Sequence, residues 1–170
     1  MRDTNINRKI KLYRERTHFE DKGRDFVLFR LQDETYAVSI DYAQEILKPK
    51  ELTEIPFTPD FITGVVNLRG KIVPVVNLRR RFGMPDVGIG RSTRIVVVRH
   101  REQDVGLLVD SVPAVQMVPD SKIETTPDIV EGSIDKDYFL GIANLDAGIV
   151  TILDLDKAIR KQARNMPTVV

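Results

Sequence analysis

The sequence predicts a mainly β protein, built as two small barrels packed on each other along a shared hydrophobic seam, with short helices. Three observations carry this reading. From Phe26 onward, short runs of β-branched and aromatic residues alternate with polar turns. The second half of the chain repeats the pattern of the first. Each repeat holds roughly 70 residues, a size at which one core is thin, so closure into a barrel and packing on its twin is the expected solution.

The elements follow in chain order. Residues 1–24 form a basic N-terminal tail with 8 basic and 4 acidic side chains, whereas the rest of the chain carries a net charge of −3. Ile6, Ile10 and Tyr13 fall at i, i+4 and i+7, one weak helical stripe. Three apolar residues bury little area, so a solvated, partly helical tail is expected. The alternative is a basic segment that docks on an acidic partner or anionic lipid. Phe26–Leu31 and Thr35–Ile40 read as a hairpin around Gln32-Asp33-Glu34. Asp41 reads as the N-cap of a short helix through Ala43, Glu45 and Ile46. A proline-punctuated connection leads to strands at Gly64–Leu68 and Lys71–Leu78, joined by a turn at Arg69-Gly70. Pro74 lacks a donor, which places its strand at an edge or a bulge. Arg79-Arg80-Arg81-Phe82-Gly83 ends the block, and Met84 to Arg91 reads as a linker. Barrel one is expected at about 25–83 and barrel two at about 94–155. A C-terminal helix follows at about 156–164, and Asn165 to Val170 are expected to fray.

The repeat is explicit. Phe26-Val27-Leu28-Phe29-Arg30 overlays Ile95-Val96-Val97-Val98-Arg99, and Val38–Asp41 overlays Leu107–Asp110. Gly64-Val65-Val66-Asn67-Leu68 overlays Gly141-Ile142-Ala143-Asn144-Leu145 after an insertion in the second copy. Val75-Val76-Asn77-Leu78 then meets Ile152-Leu153-Asp154-Leu155.

Composition excludes several chemistries. The chain has 170 residues and a net charge of +1, without the basic excess of a dedicated nucleic-acid binder. It contains 0 Cys, which removes disulfides, Cys-ligated zinc and a thiol nucleophile. The 2 His, His18 and His100, have no partner of metal-ligand type nearby in sequence, and a surface role is expected for each. No apolar run reaches a membrane-spanning length and no signal-peptide pattern opens the chain, so a cytoplasmic protein is expected. No phosphate-binding loop or nucleophile elbow occurs. Asp110, Asp154 and Asp156 lie at strand ends; two of them together could hold Mg²⁺ or act as an acid/base pair, but turn and cap roles are the ordinary reading. No catalytic residue, metal site or cofactor is called for.

One set of motifs is specific. Gln44-Glu45-Ile46, Ile62 through Gly70 (Ile-Thr-Gly-Val-Val-Asn-Leu-Arg-Gly), Ile72-Val73-Pro74-Val75-Val76-Asn77-Leu78-Arg79 and Gly141–Leu145 resemble the CheW family of chemotaxis coupling proteins. The resemblance covers about residues 25–160. It implies two five-stranded SH3-like barrels and a non-catalytic adaptor. Its implied partners are the cytoplasmic tips of chemoreceptors and a CheA-type histidine kinase, in a membrane-attached array and without direct membrane insertion or nucleic acid. By the same resemblance, Glu45 and Arg69 lie together beside the receptor groove on an exposed rim. Ile40, Ala43, Leu47 and Asn67 are the flanking receptor-binding candidates, and the kinase-binding face is unknown. A paralogue serving a gliding or pilus pathway, or a small-ligand or nucleic-acid-binding barrel, are the alternatives.

Overall fold

The computed structural model describes residues 3–15, 22–50, 52–125 and 136–164. The fraying expected for 165–170 falls outside these residues, as does His18. The chain begins with helix α1 (Thr4–Glu15), followed by strands β1 (Gly23–Leu31), β2 (Glu34–Ser39), β3 (Ala43–Leu47), β4 (Ile62–Leu68) and β5 (Lys71–Asn77). Helix α2 (Leu78–Arg81) leads to β6 (Arg94–His100), β7 (Gln103–Val109), β8 (Ser111–Pro119) and β9 (Ile123–Glu124). Strands β10 (Phe139–Leu145) and β11 (Gly148–Leu153) precede helix α3 (Leu155–Arg164).

The strands form two sheets, ordered β8-β1-β2-β11-β10-β9 and β3-β6-β7-β5-β4. Both sheets draw on both repeats, so the boundaries 25–83 and 94–155 do not describe them. Each sheet takes the first hairpin of one repeat and the remaining strands of the other, four in the first sheet and three in the second. The junctions are parallel pairings, β2 with β11 and β5 with β7. The two copies share one alternating apolar pattern, so a strand of either copy suits either sheet, and only long-range pairing decides its place.

Alternation along the hairpins builds three cores. Phe26, Leu28, Ala37, Val118, Val150 and Ile152 cluster within the first sheet. Leu47, Val66, Val73, Val75, Ile95 and Val97 cluster within the second. The intervening residues Val27, Phe29, Tyr36, Val38, Val96, Val98 and Leu107 meet in a central core shared by the two sheets. The first hairpin is thus buried on both faces, which explains why Phe26 to Phe29 is apolar without a break.

Four local expectations change. Residues 43–47 are a strand rather than a helix: β3 pairs antiparallel with β6, with a register shift between Ala43 and Glu45. That bulge leaves Ala43, Ile46 and Leu47 all buried, an i, i+3, i+4 spacing that imitates a helix face. Strand β5 is internal, and Pro74 is tolerated because pairing with β7 begins only at Val75. The register shift lies in β4 instead, between Ile62 and Gly64. The N-terminal helix is docked rather than solvated, since Ile6 and Ile10 are buried in the central core. Finally, His100 is mostly buried: its Nε2 lies 2.7 Å from an Asp156 carboxylate oxygen, tying β6 to α3.

The two short helices are equivalent across the repeat. The Asn77 side chain accepts from the Arg80 N–H at the start of α2, and the Asp154 side chain accepts from the Lys157 N–H at the start of α3.

Candidate functional site

The site is built from the edge strand β3 and the β4–β5 turn. Arg69 and Gly70 take left-handed conformations (φ 50° and 81°), the geometry of a tight two-residue hairpin. The Asn67 carboxamide oxygen accepts the Gly70 N–H at 3.0 Å and so fixes the turn. Arg69 then points its Nη2 at Glu45 Oε1, 2.7 Å away. Strands β3 and β4 lie at opposite edges of their sheet. The ion pair therefore spans the gap where the sheet curls closed.

The pair is asymmetric. The Glu45 side chain is 9% exposed and that of Arg69 60% exposed. One partner belongs to the protein interior and the other presents unused donors to the outside. The expectation of a wholly exposed rim pair is corrected on this point. Around Arg69, Asn67 and Lys71 are exposed and Ile72 projects an apolar side chain at 64% exposure. The turn therefore offers a guanidinium beside an aliphatic patch.

The flanking candidates fare differently. Ile40 and Ala43 lie in the central core and Leu47 in the core of the second sheet, all buried. Ile40, just before β3, and Ala43 and Leu47 within it therefore place their side chains in these cores and not on the surface. The three aspartates are not gathered. Asp110 accepts a fork of hydrogen bonds from Arg79, with Nε at 2.7 Å, together with the Gln32 N–H. Asp154 caps α3, and Asp156 holds His100. Among the described residues no group of three or more His, Cys, Asp or Glu is placed to hold a metal ion.

Sequence reasoning overlooked the arginine triplet. Arg79 clamps Asp110, and that hydrogen bond raises the guanidinium pKa. Arg80 holds Asp86 and the Asp60 carbonyl. Arg81 donates to the Ala158 carbonyl at 3.1 Å and lies over the rings of Phe61 and Tyr138, and burial lowers its pKa. Three consecutive arginines on one short helix thus latch three different segments. Only the unusual run Arg-Arg-Arg before an apolar Phe82 hinted at it.

Residues 25–163 match the model of the CheW-like domain. This chain belongs to the CheW-like family. It is 32% identical over 143 residues to the chemotaxis protein CheW of Klebsiella aerogenes, covering 84% of this chain and 86% of that one. It is 33% identical over 136 residues to the chemotaxis protein CheW of Helicobacter pylori, covering 80% and 81%. The solved structure of the scaffolding protein CheW from Thermoanaerobacter tengcongensis superposes with a TM-score of 0.74 at 36% identity, covering 83% of this chain and 90% of that one. The two sheets of this CheW-like domain are accordingly two SH3-like barrels. The matched range starts at residue 25, so α1 lies outside it. No helix among the described residues is long and apolar enough to cross a membrane.

Proposed function

We propose that this chain is a non-catalytic adaptor that couples the cytoplasmic tips of chemoreceptors to a CheA-type histidine kinase in a chemotaxis-type array. It works in the cytoplasm and is recruited to membrane-attached receptors through protein contacts alone. Membership of the CheW-like family and the relatives named chemotaxis protein CheW support the adaptor role. The observation that carries the receptor site is the Glu45–Arg69 pair, a buried carboxylate orienting an exposed guanidinium. Such a group serves register and specificity more than bulk affinity, because its interior anchor restricts where the outward donors can point.

The test is reconstitution. Purified receptor signalling fragments, kinase and this chain are mixed and sedimented, and kinase in the pellet is measured. Recruitment should require this chain and should fall about tenfold or more with Arg69→Ala, the loss of one oriented charged contact. Binding to neither receptor fragment nor kinase would sink the adaptor reading. Unchanged recruitment by a folded Arg69→Ala protein would sink the role of this turn while leaving the adaptor in place.

A further inference from the structure

The helix outside the family domain sits on the most consequential edge of the molecule. β8 is one edge strand of the first sheet and β3 one edge strand of the second, and α1 packs against both. Its contacts among the described residues are regularly spaced. Asp3 pairs with Arg94 at 3.2 Å, and its backbone N–H donates to the Ile46 carbonyl. Ile6 and Ile10 fill the opening of the central core, with Tyr13 partly buried behind them. Asn7 accepts the Ile46 N–H at 2.8 Å and returns its amide hydrogen to the Ile46 carbonyl at 3.2 Å. One side-chain amide thus completes the ladder position that a neighbouring strand would fill. Arg8, Lys9, Lys11 and Leu12 face outward.

The groove therefore reads a helix by an acidic residue, an apolar residue three positions on, an amide at four and an apolar residue at seven. That is a recognition pattern of the helix-in-groove kind, and it specifies no feature unique to α1. Ile46, whose backbone α1 covers, is the neighbour of Glu45 in the same strand. A helix of 12 residues has marginal stability alone in water, and α1 belongs to neither sheet, so its undocking breaks no strand pairing.

We infer that α1 is a resident, displaceable occupant of the groove between the β3 and β8 edges and that it competes there with a receptor helix. The inference rests on the adaptor reading and adds its regulation: receptor affinity is reduced by the fraction of molecules whose groove α1 fills. Helix against helix, the competition needs no change in the barrels.

The experiment uses the full chain and a soluble coiled-coil fragment of a chemoreceptor signalling tip. Amide hydrogen exchange of residues 4–15 is followed with and without saturating fragment. Displacement should speed that exchange at least about tenfold, the release expected of an opened segment. Full-length Ile10→Ser should bind the fragment roughly tenfold more tightly, because its competent fraction rises. A synthetic peptide of residues 3–15, added in excess, should weaken fragment binding to the Ile10→Ser protein. If the fragment binds but exchange in 4–15 is unchanged or slower, α1 is not displaced and the inference is overturned, with the adaptor reading intact. If the fragment binds neither protein, the receptor reading fails and the inference falls with it. Should Ile10→Ser misfold, the exchange measurement on the unaltered chain decides alone.

Discussion

A charge pair with one end inside the protein is not energetically idle. Glu45 is buried while Arg69 reaches it from solvent, so removing the guanidinium takes a charged hydrogen-bond partner from a buried side chain. Arg69→Ala should cost about 1–2 kcal/mol, a fall in melting temperature of roughly 2–8 °C for a domain of this size. Arg69→Glu should cost more, since it faces the buried carboxylate with a second one. The charge-swapped protein Glu45→Arg with Arg69→Glu should not regain stability, because a guanidinium at position 45 would have to be buried. Thermal unfolding of the four proteins checks this order. The glycines shared by the repeats give a second residue-scale prediction. Gly64 has φ +152°, and a β-carbon there would collide with the Thr53 carbonyl; at Gly141 it would collide with the Glu124 carbonyl. Both lie at register shifts against which another segment presses. Gly64→Ala and Gly141→Ala should each destabilise by about 1–3 kcal/mol in denaturant titrations, through overpacking and, at Gly64, backbone strain.

Among elements, α1 and α2 do the most tying. Helix α1 protects the β3 edge, a place where an unpaired backbone would invite another strand. Asn7→Ala removes both hydrogen bonds to Ile46. Exchange of the Ile46 amide should quicken by about 5- to 30-fold, the equivalent of 1–2 kcal/mol, while amides of β7 keep their protection. Helix α2 holds the 84–92 segment through Arg80 and Asp86, 2.6 Å apart. The Gly88 N–H and Arg80 keep the Asp86 carboxyl below its ordinary pKa of 3.8. A carboxylate with a depressed folded pKa contributes its stability fully above the unfolded value and loses it as pH falls through the folded one. The contribution of Asp86 should therefore be complete above about pH 4 and decline below it. Asp86→Asn should show a shallower acid limb than the unaltered protein.

For the molecule as a whole, the central core is the joint between barrels, and Tyr36 sits at its centre. Its ring stacks on Phe29 and Phe139, each 5.8 Å away, and lies 6.1 Å from Phe82. These rings come from β1, β10 and the end of α2, so one residue touches both halves of the repeat. The Tyr36 hydroxyl donates to Glu34 at 2.7 Å. Burial first, and then that hydrogen bond and the carboxylate charge, push the phenol pKa well above its usual value. A raised folded pKa means a contribution present in full below pH 10 and lost as pH climbs from there toward the folded value. Alkaline unfolding should be steep for the unaltered protein and flatter for Tyr36→Phe, as measured by urea midpoints across that range.

Local chemistry made much of this protein legible before any tertiary contact was known. Alternation of apolar and polar residues marked most strands, Arg69-Gly70 marked the hairpin turn, and the two-copy register marked Gly64 with Gly141 and Asn77 with Asp154. The Gln-Glu-Ile and Asn-Leu-Arg-Gly motifs carry the family resemblance, and Glu45 and Arg69 are the residues it singles out. These signals are short-range, carried by residues within a turn or a strand of one another. What only the tertiary structure decided is long-range. The exchange of hairpins between the sheets rests on pairings such as Val27 with Val115, which no alternation pattern can choose, because both repeats offer the same one. The bulge in β3 disguised a strand as a helix face, and Ile40, Ala43 and Leu47, which the resemblance offers as flanking receptor-binding candidates, are core. The docking of α1 depends on an open seam that exists only once both sheets are in place. The pairing of Glu45 with Arg69 likewise needs the sheet to curl until its two edges come within reach of a side chain. Burial is a property of the closed chain, and a residue's own neighbours in sequence do not carry it.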